Sequence, residues 1–142
     1  MARTTAMLLA RLIFAWAFLM AATFKFMGMA GTAQYIAAAG IPFPSFLAWV
    51  AAFFEIGLGL AFLTGAFFSE AAILAGIYVM FLAFTFHGPA HWKGNPMAFG
   101  AFFDHFIFLA GLLLCAIHGP GEKLVLGWHL PRRTSGTGPD GR

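Results

Sequence analysis

The chain has 142 residues, of which 61% are hydrophobic and 9% charged, and its mean hydropathy is +0.86. A soluble domain carries about 45–50% apolar and about 25% charged residues, so there is too little polar surface here to coat a water-facing globule. A lipid bilayer is the solvent that fits. The net charge of +3 comes from eight Lys and Arg, too few and too scattered for a groove that tracks phosphates, which excludes nucleic acid as a partner. The single cysteine, Cys115, excludes an internal disulfide, a C-x-x-C redox pair and a four-cysteine metal site. In the run L-L-L-C-A-I it reads as a small hydrophobe.

At about 20 residues per crossing, the chain is predicted to be all-α: a four-transmembrane-helix bundle over residues 1–121, with a short interfacial helix between the first and second spans, and then a tail over 122–142. The first span runs from about Ala6 to Met29, with Arg11 near its start and Lys25 near its end. Its core from Leu12 to Phe24 has the length of a signal-peptide apolar region, and Met20-Ala21-Ala22 weakly resembles a cleavage region. An arginine inside that region and three further spans argue for an uncleaved helix. In the segment G-T-A-Q-Y-I-A-A-A-G-I-P-F-P-S, Thr32 is predicted to cap a short helix through Ala39 that Gly40 and Pro42 stop. This helix is expected to lie on the membrane surface.

The second span, Phe46 to Phe67, contains one charge, Glu55. A tight turn is predicted at Phe68-Ser69-Glu70. The third span, Ala71 to Phe86, is short for a bilayer unless it borrows residues at both ends. A polar loop from His87 to Pro96 leads into the fourth span, Met97 to Ile117, which contains Asp104 and His105. The tail ends in T-S-G-T-G-P-D-G-R, and its last ten or so residues have the composition of a disordered segment.

Orientation follows from the basic residues. Arg3 and Arg11 flank the start, and Lys123, Arg132, Arg133 and Arg142 follow the end, whereas the opposite side has only Lys25 and Lys93. Both termini are therefore expected in the cytoplasm. Trp49 and Trp92 then fall near the outer interface and Trp128 near the inner one.

Ionisable groups within a span are expensive and mark candidate sites. Measured from the outer ends of their spans, Lys25 lies roughly 6 Å in, Glu55 about 13 Å, Asp104 about 10 Å and His105 about 12 Å, with His87 at the rim. All five occupy one half of the membrane. Each also shares a helical face with small residues: Lys25 with Ala21, Ala22 and Gly28; Glu55 with Ala52, Gly59 and Ala66; Asp104 with Gly100 and Gly111; His87 with Ala83, Gly76 and Ala72. Small residues mark the faces where transmembrane helices approach closely, so the five groups are expected to converge inside the bundle. One lysine cannot neutralise both Glu55 and Asp104. Either one carboxyl holds a proton, or His105 or His87 is charged. Two roles fit such a cluster: a lock between helices, or a site that hydrogen-bonds a quinone carbonyl or passes a proton. A metal site is not expected. His87 and His91 have i, i+4 spacing, but the intervening Gly-Pro breaks a helix there. Haem is not expected either, because it needs facing histidines at similar depth, and His87 and His105 differ by several residues in estimated depth.

At these residues the chain resembles the DoxX family of small four-helix membrane proteins. The likeness spans roughly Leu9 to Gly121. It includes the basic residue opening span one, F-K-F-M-G, Y-I-A-A-A-G-I-P-F-P, A-W-V-A-A-F-F-E-I-G-L-G-L-A-F-L-T-G, A-A-I-L-A-G and the closing H-G-P-G. Arg11, Lys25 and Glu55 match the family's polar positions. Two positions depart: Glu70 stands where relatives commonly have a basic residue, and Asp104-His105 where they often have a basic or amide residue. The resemblance implies an inner-membrane protein linked to redox systems, the family taking its name from a subunit associated with a sulfur-oxidising, quinone-reducing complex. It implies an accessory subunit beside other membrane oxidoreductase subunits, with quinone as the cofactor. In that reading Glu55 is a proton-holding hydrogen-bond partner, Lys25 its counter-charge, and Asp104 with His105 the proton path to the outer face. The alternatives are a structural or assembly subunit without chemistry of its own, and a small transporter or proton conduit.

Overall fold

A computed structural model describes residues 2–122 and 124–126. The chain forms five α-helices: α1 (Ala2–Met27), α2 (Met29–Ala38), α3 (Pro44–Thr64), α4 (Phe68–His87) and α5 (Pro96–His118), with a 3-10 turn at Pro89–His91. No strand occurs among the described residues. Helices α1, α3, α4 and α5 are long and apolar enough to cross a membrane. One end of the bundle, the terminal end, holds the start of α1 and the end of α5. The loop end holds α2 and the 3-10 turn.

Local chemistry sets the helix limits. Helix α3 stops at Thr64, three residues before the expected end, because Gly65 adopts the left-handed conformation at φ 74° and its N–H donates to the Ala61 carbonyl. The turn therefore lies at 65–67, and Phe68-Ser69-Glu70 is the first turn of α4 rather than a connection. Helix α4 gains residues at both ends over the short stretch expected from hydropathy. Gly28 separates α1 from α2 and is the N-cap of α2. Thr32 is not a cap; it lies inside α2, where its hydroxyl donates to the Gly28 carbonyl at 3.2 Å. Asn95 caps α5, its Oδ1 accepting from the Ala98 N–H at 3.1 Å.

Helix α1 packs along α3 and α4 along α5, two antiparallel pairs joined through a smaller α3–α4 contact, and α2 rests on α3. Phe62 is fully buried where the pairs meet; its ring lies 5.5 Å from Phe14, 5.8 Å from Phe18 and 5.4 Å from Phe68. Small residues permit the close approaches. A Cβ on Gly59 would stand 2.6 Å from Leu19 Cγ, and one on Gly111 2.9 Å from Phe14 Cζ. Gly59→Ala is expected to overpack the α1–α3 seam and cost about 1–3 kcal/mol. Gly57, with nothing within 4 Å of its added Cβ, serves as the neutral control. Unfolding in detergent by SDS titration measures both, and equal midpoints for the two variants would refute the close packing.

At the terminal end, Arg11 is fully buried. Its Nε donates to the Phe62 carbonyl at 3.2 Å and its Nη2 to Leu63 at 3.0 Å; Nη1 reaches Pro120 at 3.2 Å and Nη2 also Leu124 at 3.0 Å. The Leu126 N–H donates to Thr64 at 3.0 Å. The last carbonyls of α3, which have no intrahelical donor, are thus satisfied by a side chain from α1 and a strap from beyond α5. The cation also complements the negative end of the α3 dipole.

Candidate functional site

Helix α3 buries one face, on which Ala48, Ala52, Glu55, Leu58, Gly59 and Phe62 follow one another at helical spacing. Glu55 is the only carboxylate on it and is 2% exposed. An ionised carboxylate in such a place requires a counter-charge and hydrogen bonds on its lone pairs. Lys25, in the last turn of α1, supplies both. Its Nζ donates to Glu55 Oε1 and Oε2, each at 2.8 Å. Tyr78 of α4 donates its hydroxyl to Oε1 at 2.8 Å. Three helices thus converge on one carboxyl group. Lys25 has a third N–H, and its side chain remains 22% exposed.

That exposed portion faces a cavity of about 360 Å³ enclosed by α2, α3 and α4 at the loop end. Its wall is largely aromatic and aliphatic, with Tyr35, Phe54, Phe81 and Phe86 among the lining, and its polar side chains are Lys25, Thr32, Tyr35, Tyr78, His87 and His105. The Nδ1 of His105 lies 2.6 Å from the Ala101 carbonyl. A hydrogen bond there needs the proton on Nδ1, which leaves Nε2 as the ring's free polar atom. The His87 ring is 5.2 Å from that of His105. A second, smaller cavity of about 220 Å³ lies between α1 and α5 on the other side of Tyr78, Leu82 and His105, with Glu55 and Asp104 on its wall.

The expected convergence is only partly realised. Lys25 and Glu55 pair, and His105 and His87 meet at the cavity, closer together than the estimated depths implied, because α4 and α5 run antiparallel side by side. Asp104 is absent from the larger cavity and shares only the wall of the smaller one with Glu55 and His105. It is exposed on α5, about 100° around the helix from His105, and Gly100 on the same side has nothing within 4 Å of an added Cβ. Of the two glycines sharing its face, only Gly111 marks a close approach, against Phe14. Arg11, read in the sequence as an interfacial orientation signal, is buried as described above. Trp49 forms an exposed aromatic cluster with Phe26 and Phe53. Trp92 donates its indole N–H to the His87 carbonyl at 2.7 Å. The side chain of Arg3, and Lys123, Trp128, Arg132, Arg133 and Arg142, lie outside the described residues. So does the expected disorder of the tail. Among the described residues, no group of three or more His, Cys, Asp or Glu gathers as a metal-binding set.

Tyr78 is the member of the site that sequence reading missed. Its signal was present: the chain has 19 Phe and only 2 Tyr, and a hydroxyl placed mid-span needs a partner that a phenyl ring does not.

Comparison with known proteins gives a consistent picture. The DoxX family model matches residues 6–88. Inner membrane protein YqjF of Escherichia coli K12 is 33% identical over 118 residues, covering 83% of this chain and 87% of the relative. Inner membrane protein YphA of the same organism is 32% identical over 124 residues, covering 84% and 87%. No solved structure matches significantly.

Proposed function

The chain belongs to the DoxX family of multi-pass membrane proteins, and from that premise we propose that it is an accessory subunit of a quinone-linked respiratory or sulfur-redox system, holding a quinone ring in the cavity beside Glu55. The observation that carries this reading is that Lys25 and Tyr78, both hydrogen-bonded to the buried Glu55 behind them, line an aromatic-walled cavity. Two of the three Lys25 N–H groups are directed at Glu55, and the third is a donor for a ring carbonyl. Tyr78 Oη and His105 Nε2 are acceptors for a ring hydroxyl. The cavity therefore offers partners to both the oxidised and the reduced head, with flat aromatic neighbours for the ring. A bound quinone supplies two-electron chemistry to a partner oxidoreductase subunit; the residues here bind it, orient it and keep a charge-balanced carboxyl beside it.

Quinone is expected to co-purify in mild detergent at about one molecule per chain and to be lost at least tenfold in Glu55→Gln. Lipid extracts of pure protein containing no quinone, with respiration unchanged in Glu55→Gln, would remove this reading.

The basic residues near both ends of the sequence support cytoplasmic termini in an inner membrane, which puts the triad in the outer half of the bilayer. A reporter fused after residue 142 is expected to be active only in its cytoplasmic form. Activity of the periplasmic form would invert the site.

A further inference from the structure

The cavity beside the triad has two boundaries of different character. Toward the loop end its boundary is a stacked pair, Tyr35 of α2, 52% exposed on its outer side, and Phe86 of α4, whose rings lie 4.8 Å apart at an interplanar angle of 16°. The same two residues, with His87, form the near wall of another cavity of about 610 Å³, whose lining adds Thr85, His91 and Asn95. The stacked rings are therefore a shared wall between a more polar vestibule at the loop end and the apolar chamber over Lys25. Between α3 and α4 the boundary is different. There the chamber is lined by Val50 and Phe81, which are 44% and 52% exposed. Each stands six residues from the loop end of its helix, roughly 9 Å into the span. The two helices pack on each other nearer the terminal end, through residues such as Phe62 and Phe68.

We propose that the chamber is loaded sideways from the bilayer, between α3 and α4 past Val50 and Phe81, while the Tyr35–Phe86 stack seals it from water. The occupant is then an amphiphile: a planar polar head against Lys25 and Tyr78, and a hydrocarbon tail that stays in lipid through the α3–α4 opening. This rests on the quinone reading for the head and adds the route and the tail. A head loaded from water would need the stacked rings to part and would carry no requirement for a tail. A tailed head entering from lipid crosses no polar region, and the apolar mouth at bilayer depth suits it.

The route can be tested without any ligand. Cys115 is buried at 3% exposure and is the chain's one cysteine, so Cys115→Ala gives a clean background for Ala51→Cys in the chamber wall. In proteoliposomes, a lipid-soluble pyrene maleimide is expected to label Ala51→Cys at least tenfold faster than a charged, membrane-impermeant maleimide supplied on both sides. Tyr35→Ala is expected to raise the charged reagent's rate at least tenfold and to leave the lipid-soluble rate within twofold. Val50→Trp is expected to slow the lipid-soluble reagent at least fivefold. Thermal midpoints in detergent confirm that each variant is folded, and Val50→Leu is the milder substitute if the tryptophan is not accommodated. Rapid labelling by the charged reagent with Tyr35 in place overturns the seal. A lipid-soluble rate indifferent to both Val50 variants overturns the route. The quinone extraction is a separate arm: if it fails while labelling follows the expected pattern, the lateral route stands and a different tailed amphiphile uses it. If quinone is retained while labelling shows open access from water, the route falls and the quinone reading stands.

Discussion

Lys25→Met is expected to destabilise the bundle by about 3–5 kcal/mol, because it leaves a carboxylate that is 2% exposed with only the Tyr78 hydroxyl as partner. Glu55→Gln is expected to cost less. The lysine it strands lies in the last turn of α1 with 22% of its side chain exposed, so the ammonium can swing toward the membrane boundary on its flexible stem. The double variant, Lys25→Met with Glu55→Gln, removes both charges and is expected to recover to within about 1 kcal/mol of the native protein, since a buried ion pair gives little net stability over neutral groups of similar size. SDS titration of the four proteins gives the coupling directly. Additive losses, with the double variant weaker than either single one, would contradict a tightly coupled pair. The same double variant separates a helix lock from a binding site. A lock is indifferent to how α1 and α3 are held together, so the repaired protein would work. A quinone site needs the donors themselves, so the repaired protein stays folded and still loses quinone.

Arg11→Met is the second large effect. It leaves the Phe62, Leu63, Pro120 and Leu124 carbonyls without the donors that the guanidinium supplies. At about 1–3 kcal/mol for a buried unsatisfied group, applied in full to the buried Phe62 carbonyl and in part to the three part-buried ones, the loss is a few kcal/mol, enough to lower the yield of folded protein in detergent extracts. Arg11→Lys is expected to fall between. Its compact ammonium keeps the charge at the α3 C-terminus but lacks the planar fork that reaches two chain segments at once. Yield of monodisperse protein and the SDS midpoint rank the three, and an Arg11→Met protein as stable as the native one would mean that the strap beyond α5 is held by other contacts.

What the sequence made legible, and what it hid, has a common physical basis. The four spans stand out because hydrocarbon excludes polar residues over a whole crossing, and the Lys25–Glu55 pairing follows from opposite charges on small-residue faces in the same half of the membrane. Arg11 was misread because its partners are backbone carbonyls, which every residue carries and no sequence pattern reveals. Asp104 stands at the edge of the buried face, reaching only the smaller cavity. Helix α5 buries Ala98, Phe102, Leu112 and Cys115, with Leu109 against Gly76, a stripe that passes through His105 and leaves residue 104 to one side. Its glycines at 100 and 111 had suggested a packed face, but Gly111 meets Phe14 while Gly100 meets nothing. The cavity was not legible at all. It depends on α3 and α4 separating toward the loop end and on α2 covering the gap, both properties of how helices are arranged in space.

The arginine at the terminal end also gives the bundle an order in time. Its acceptors at Pro120 and Leu124 stand 109 and 113 residues downstream. At about 5–20 residues added per second, the ribosome needs on the order of ten seconds to travel from Arg11 to Leu124. During that interval a guanidinium waits in a nascent membrane helix without part of the protein that will surround it. Helix α1 is therefore fully enclosed only after α5 is made, and a chain stalled before Pro120 lacks the Pro120 and Leu124 acceptors that a longer chain supplies to Arg11.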